Sequence, residues 1–193
     1  MLIQITAIIL LSVFYLSYLL KMLLLRKQGI KGDLLGKGKK SKRATGIERV
    51  LKLITWLGAA VQFVSVILLE LIPGFVSAEW VRIFGAGIGF AAVLFFVASI
   101  TVMRNNWRAG FDENQDTRLV TAGVYRFSRN PAFVGFDLLY IGCAMMFPNV
   151  VNIAFAVIAV VSFHIQILGE ENFLSRQFGK EYEDYRSGVR RYL

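Results

Sequence analysis

Two groups of polar residues lie beside apolar stretches of this chain, and their types suit a charged ligand. The first is Arg129-Asn130-Pro131, and the second is Glu170-Glu171. Proline fits the first turn of a helix, where unpaired backbone N–H groups carry a partial positive charge that stabilises a carboxylate. Arg129 adds a full positive charge there. Glu170 and the ring of Tyr125 instead attract a cation. The two groups together suit a ligand that carries both a carboxylate and a cationic centre.

The composition indicates a membrane protein. The chain has 193 residues, of which 56% are hydrophobic and 18% charged, and its mean hydropathy is +0.57. A soluble domain of this size is less apolar. Polar groups at a membrane boundary are costly unless they have a function, so the residues above stand out.

The apolar segments predict an all-α, polytopic integral membrane bundle of about five transmembrane helices with a C-terminal cytosolic amphipathic helix. About 20 helical residues cross a hydrocarbon core of about 30 Å. The turn signal Pro148-Asn149 makes a helical hairpin of residues 132–168, whose first arm is short. The first segment lacks a basic start and a cleavage site, so we expect a retained span. The five segments are 2–25, 50–72, 80–103, 132–147 and 149–168.

Basic residues predict the orientation and two regions. Segments 26–49, 104–131 and 169–193 hold nine, five and five Lys or Arg, whereas the opposite loop around 73–82 holds only Arg82. The positive-inside rule places the rich segments, the site and the C-terminus in the cytosol, and the N-terminus outside. We expect a three-span region, 1–103, with a basic cytosolic loop at 26–49, and a cofactor-binding region, 104–193.

Several features have simpler interpretations. The net charge of +9 fits topology and anionic headgroups better than nucleic-acid binding. Cys143 and His164 are each the single residue of their type, so we expect neither a disulfide within the chain nor a structural metal site. Gly32–Lys42 lacks phosphate-loop spacing and is interpreted as a linker. Gly85 and Gly89 have the spacing of close helix packing.

A set of motifs over about residues 104–193 resembles the isoprenylcysteine carboxyl methyltransferase family and its phospholipid methyltransferase relatives. Their order and spacing carry the resemblance. The motifs are Asn105–Gly110, Leu119–Tyr125, Arg129–Pro131, Glu170-Glu171, Phe178-Gly179, Tyr182 and Tyr185.

The resemblance implies an integral membrane enzyme that uses S-adenosylmethionine to methylate a lipophilic or lipidated acceptor, either an isoprenylcysteine-type carboxylate or a phospholipid amine. Membrane lipids are further expected partners. Two positions depart from the family pattern: Asn130 replaces the His of Arg-His-Pro, and Gln166 replaces an Arg. Leu119, Val120 and Phe133 would form an apolar slot for the adenine. The cofactor-binding candidates are Thr117, Arg118, Leu119, Val120, Tyr125, Arg129, Asn130, Pro131, Ala132, Phe133 and Glu170.

Four residues are candidates for catalysis at the acceptor end: Asp137, His164, Gln166 and Glu171. Asp137 follows Pro131 by six residues and His164 precedes Glu170 by six. At about 1.5 Å per residue both would lie ~9 Å inside the plane of the site. We therefore predict that they interact. The alternative for His164 is a hydrogen bond between packed helices.

The tail, Ser175–Leu193, places Phe178, Tyr182 and Tyr185 on one helical face. It is predicted to lie on the membrane surface, either as an anchor or as a lid over the cofactor. Two other functions stay open at this stage: a membrane reductase of the sterol-reductase type that uses NADPH, and a non-enzymatic membrane scaffold.

Overall fold

The computed structural model describes residues 1–68, 74–75, 78–114 and 117–193, and these residues form six α-helices with two short 3₁₀ turns, Arg104–Asn106 and Gly123–Arg126. Helices α1, α2, α3 and α5 are long and apolar enough to cross a membrane. The predicted polytopic helical membrane bundle is confirmed. The helices are α1 Leu2–Lys27, α2 Lys42–Ile67, α3 Glu79–Met103, α4 Pro131–Met146, α5 Val150–Phe178 and α6 Lys180–Gly188.

Helix α4 has only 16 residues, about 24 Å at 1.5 Å per residue. It nevertheless runs between the two ends of the bundle. Pro148, just after it, accepts a hydrogen bond from the N–H of Phe75 at 2.8 Å, so the α4–α5 turn lies beside the loop that follows α2. A short helix is therefore the fifth segment of the bundle.

Helix boundaries differ from the predicted segments at two places. Ser41 caps α2 by accepting from the N–H of Ala44 at 3.1 Å, so this helix begins at Lys42 and not at residue 50. Helix α5 continues to Phe178 and not to 168, which places Glu170 and Glu171 inside a helix. The end of the predicted segment 50–72, and most of the loop that follows it, lies outside the described residues.

The predicted single face of the tail is wrong. Gly179 ends α5 with φ of +52°, a left-handed conformation that glycine adopts readily. Phe178 therefore belongs to α5, whereas Tyr182 and Tyr185 belong to α6. Tyr182 is only 1% exposed, so α6 packs onto the protein.

Aromatic side chains and glycines hold α1, α3 and α4 together. The rings of Phe14, Phe96 and Phe136 lie 4.4 to 5.3 Å apart between centroids. A Cβ on Gly142 of α4 would lie 2.8 Å from the carbonyl oxygen of Gly85 and 2.9 Å from the nitrogen of Gly89. The predicted packing of these two α3 glycines against a neighbouring helix is confirmed. A Cβ on Gly85 would itself lie 2.9 Å from the carbonyl oxygen of Gly142, whereas the nearest atom to a Cβ on Gly89 would be at the end of the Leu10 side chain, at 3.0 Å.

The segment predicted as a linker connects α1 to α2, and it is packed against the rest of the protein. Its Leu34 N–H donates to Ala109 at 2.9 Å, and the Ala109 N–H donates to Gly32 at 2.8 Å. Leu34 is 7% exposed, and the side chain of Lys40 is fully buried. This pairing joins the loop after α1 to the segment after α3.

Candidate functional site

A cavity of about 570 Å³ lies between α1, α2, α4, α5 and the segments before and after residues 115–116. All of the cofactor-binding candidates except Pro131 line it. They come from a loop, a 3₁₀ turn and two helices. The lining candidates are Thr117, Arg118, Leu119, Val120, Tyr125, Arg129, Asn130, Ala132, Phe133 and Glu170.

The cavity has a polar end and an apolar end. Glu170, Tyr125 and the start of α4 form the polar end, whereas Tyr15 and Phe63 of α1 and α2 contribute to the apolar wall. Trp56 lines the apolar part and is 68% exposed, so the cavity wall reaches the outer surface of the bundle. The arrangement can bring a polar ligand and a lipophilic one together.

The start of α4 offers free backbone donors. Pro131 occupies the first turn, and no side chain among the described residues caps this helix. Asn130 instead donates its side-chain amide to Glu171 at 3.0 Å and to the carbonyl of Arg191 at 3.2 Å. The first-turn N–H groups of Ala132 and Phe133, both residues of the cavity lining, are thus available to an anion.

Glu171 lies behind the cavity and holds the chain around it. Its side chain is 5% exposed and accepts from Arg129 at 3.1 Å, from Asn130, and from Arg191 at 2.9 Å. The carboxylate of Glu171 raises the pKa of Arg191 above its usual range. Glu171 does not line the cavity, and its carboxylate is occupied by these three donors, so the geometry gives no support to its predicted catalytic role.

Arg129 does not present its charge to the cavity in the way the sequence suggested. Its guanidinium donates to Glu171 and to the carbonyls of Val189 at 2.6 Å and Arg186 at 3.1 Å. Its backbone N–H donates to the carbonyl of Arg190 at 2.9 Å. These bonds fasten the last residues of the chain across the Arg129-Asn130 turn.

Glu170 faces the cavity, and Gln166 supports it from behind. The Gln166 side-chain amide donates to Glu170 at 2.9 Å and is 2% exposed. Within the described part of the chain, this is the one hydrogen bond that the Glu170 carboxylate accepts. Gln166 is absent from the cavity lining, so its predicted direct contact with the acceptor is not supported.

The predicted pairing of His164 with Asp137 is not the one that the structure shows. His164 Nδ1 bonds to the hydroxyl of Tyr192, and a buried oxygen of Asp137 has no partner among the described residues. Burial, together with the nearby Asp137 carboxylate, raises the pKa of Tyr192. The C-terminal segment lies against both residues, and neither lines the cavity.

Helix α6 covers the polar end of the cavity. Tyr182 and Tyr185 line it, and the Tyr185 hydroxyl donates to the carbonyl of Tyr125 at 2.7 Å. Burial raises the pKa of Tyr182 and of Tyr185 to about 12, so both hydroxyls stay protonated. This geometry favours the lid alternative for the tail over a surface anchor.

Sequence reasoning missed the contribution of the N-terminal half. Asp33 and Lys52 line the cavity, and Glu48 lies behind it in contact with Gln166. Ser41 is the sequence signal that could have found Glu48. Serine is a preferred N-cap residue, and a helix that begins after Ser41 includes Glu48.

These features define a multi-pass helical membrane protein with an amphiphilic ligand cavity built largely from its C-terminal half. Residues 80–181, more than half of the 193 residues, match the family described as phospholipid methyltransferase, and the chain belongs to that family. The resemblance found in the sequence is confirmed.

Relatives include protein-S-isoprenylcysteine O-methyltransferases. The chain is 32% identical to enzyme A of Arabidopsis thaliana over 124 residues, 62% of either chain. It is 38% identical to the Schizosaccharomyces pombe protein over 77 residues, which cover 39% of this chain and 33% of that protein. For the Rattus norvegicus protein, identity is 34% over 102 residues, 52% of this chain and 36% of the relative. The chain spans less than two thirds of the length of each.

Proposed function

We propose that this protein is an S-adenosylmethionine-dependent methyltransferase that acts on a lipophilic acceptor. The observation that carries the proposal is the single cavity that joins the polar end, at Glu170 and the start of α4, to an apolar wall that reaches the bundle surface at Trp56. Family membership supports the reaction class.

The residues present fit the cofactor. A volume of about 570 Å³ is in the range of about 300 to 1,000 Å³ that holds a drug-sized ligand. The first turn of α4 would hold its carboxylate, Glu170 its cationic amino group, and Leu119, Val120 and Phe133 its adenine. When bound, S-adenosylmethionine supplies an activated methyl group to a nucleophile. The protein then has mainly to align the acceptor and exclude water.

A carboxylate is the acceptor that the lining favours. Arg108 and Arg118 line it without an acidic partner among the described residues, and a carboxylate is a nucleophile without a general base. The relatives above are named O-methyltransferases of isoprenylcysteine, which agrees. Of the other charged lining residues, Lys52 pairs with Asp33 at 2.6 Å and Arg129 pairs with Glu171 at 3.1 Å, and Glu170 is assigned to the cofactor.

We expect the purified protein to transfer a labelled methyl group from S-adenosylmethionine to an S-isoprenylated cysteine with a free carboxylate. The matched control is the same compound as its methyl ester, which has no carboxylate to modify. Labelling of phosphatidylethanolamine instead would overturn the carboxylate assignment while keeping the methyltransferase. Transfer to neither compound would contradict the proposed function.

We further propose that the active site and the C-terminus are cytosolic and the N-terminus is outside. The three basic segments meet at one end of the bundle: residues 32–34 pair with Ala109, and Arg176 lies 3.7 Å from Glu113. The α4–α5 turn lies at the other end beside Phe75. This grouping agrees with the charge bias of the sequence.

Single-cysteine variants on a Cys143→Ala background test the orientation. Lys39→Cys and Lys180→Cys should react with a membrane-impermeant maleimide only after permeabilisation, and Val150→Cys, at the start of α5, should react in intact cells. Position 77, a natural choice for the outer loop, lies outside the described residues. Labelling of positions 150 and 180 from the same side would contradict the five-segment arrangement.

A further inference from the structure

We propose that Glu48, Lys40 and Gln166 are positioning residues that hold Glu170 in its cofactor-binding orientation, so that the loop between α1 and α2 belongs to the cofactor site. The inference rests on the proposed function. It goes beyond it by assigning a role to a buried polar network that does not itself line the cavity.

Glu48 is the centre of this network. Its side chain is fully buried. One carboxylate oxygen accepts from the Gly36 N–H at 2.7 Å and from Lys40 Nζ. The other accepts from Gln166 at 3.3 Å and from the Phe111 N–H at 3.4 Å. Four donors from three different segments thus fix the position of one carboxylate.

Lys40 balances the charge of Glu48. Its side chain is also fully buried; it donates to the carbonyl of Leu34 at 3.1 Å and lies 4.8 Å from the centre of the Phe111 ring. A buried ion pair adds little stability compared with a well-packed apolar pair, because both charges lose their hydration. An apolar pair could connect the loop to α2, so charge at this place points to a role that requires it.

Gln166 connects Glu48 to Glu170 by hydrogen bonds. Its amide nitrogen donates to both carboxylates, at 3.3 Å and 2.9 Å, and so lies between two like charges. Gln166 precedes Glu170 by one helical turn, which lets the side chains meet on the same face of α5. Glu170 lines the cavity, whereas Glu48 does not. Removing the amide would free Glu170 to move and leave it facing Glu48.

The same contacts link the loop to the cavity wall. Phe111, whose N–H donates to Glu48, stacks on Phe173 of α5 with 4.8 Å between ring centroids, and both rings line the cavity. If cofactor binding fixes Glu170, reciprocity requires that it also stabilise the contacts of Glu48 with the loop. The amides of Gly36 and Phe111 report on this directly.

Gln166→Met tests the network because methionine keeps the size of the side chain and removes the donor without adding a charge. We expect the affinity for S-adenosylhomocysteine to fall about tenfold, the loss of one hydrogen bond to a charged group. In a Glu170→Gln background the same substitution should add less than about threefold, since coupled sites are not additive. Gln62→Met is the matched control: Gln62 is 2% exposed and bonds to Tyr15 near the other end of the cavity, so affinity should not change.

Hydrogen exchange supplies a second measurement. S-adenosylhomocysteine should slow exchange of the Gly36 and Phe111 amides in the wild-type protein, and saturating ligand should not do so in Gln166→Met. Three results would overturn the positioning role. The first is unchanged affinity in Gln166→Met, and the second is a loss of affinity that adds fully to the loss in Glu170→Gln. The third is equal protection of the Gly36 and Phe111 amides in the wild-type protein and in Gln166→Met. If Glu170→Gln still weakens binding in that case, the proposed function stands without the network. If the wild-type protein binds no S-adenosylhomocysteine, both fail.

Discussion

Replacing Glu170 by alanine should weaken the binding of S-adenosylmethionine by about 1.5 to 3 kcal/mol, the usual contribution of a hydrogen bond that involves a charged group. Glu170 lines the polar end of the cavity, and Gln166 already orients its carboxylate. Isothermal titration calorimetry of the purified protein gives the dissociation constant directly.

The control for this variant is Glu79→Ala, which removes an exposed carboxylate at the start of α3 and should leave the affinity unchanged. Thermal unfolding of both variants separates lost binding from lost structure. Wild-type affinity in Glu170→Ala would remove this residue from the cofactor site.

Replacing Glu171 by alanine should have the largest effect on stability, a loss of about 3 kcal/mol in the free energy of unfolding. The change leaves Arg129, whose side chain is 9% exposed, and Arg191 without their carboxylate, and breaking a buried ion pair by removing one partner is strongly destabilising. The segment 189–193 should detach from the Arg129-Asn130 turn. Thermal unfolding in detergent, followed by circular dichroism, measures the loss.

Two further variants calibrate that result. Arg191→Ala should cost less, because the contact between Arg129 and Glu171 remains. Glu183→Ala removes an ion pair whose partners are 46% and 51% exposed, and such pairs contribute little. A melting temperature of Glu171→Ala equal to that of Glu183→Ala would show that the network does not hold the C-terminal segment.

Most lining candidates from the C-terminal half came from the family resemblance, and local signals added to it at two places. Pro131 marks a helix start wherever it stands in a chain, and Glu170 is conspicuous after an apolar run. The bundle itself followed from the length of the apolar segments. The motifs of the resemblance, the helix start and the apolar segments can all be recognised from residues that are near one another in sequence.

The support of the site was not predictable in this way. Gln166 and Glu48 are 118 residues apart in sequence, and only the packing of α2 against α5 brings them together. Lys40 counted toward the positive charge of a loop predicted to be cytosolic, although its side chain is buried against Glu48. Counting residues along the hairpin placed His164 and Asp137 at the same depth. It did not consider Tyr192, which lies 28 residues from His164 in sequence and whose hydroxyl bonds to His164 instead.

The central claim is that the cavity holds S-adenosylmethionine. Calorimetric titration of the purified protein with S-adenosylmethionine, S-adenosylhomocysteine and NADPH tests it most directly. We expect both S-adenosyl compounds to bind at one site per chain, with binding weakened in Glu170→Ala, and NADPH to give no binding heat. Saturable binding of NADPH without binding of either S-adenosyl compound would contradict the claim and indicate a nicotinamide cofactor instead.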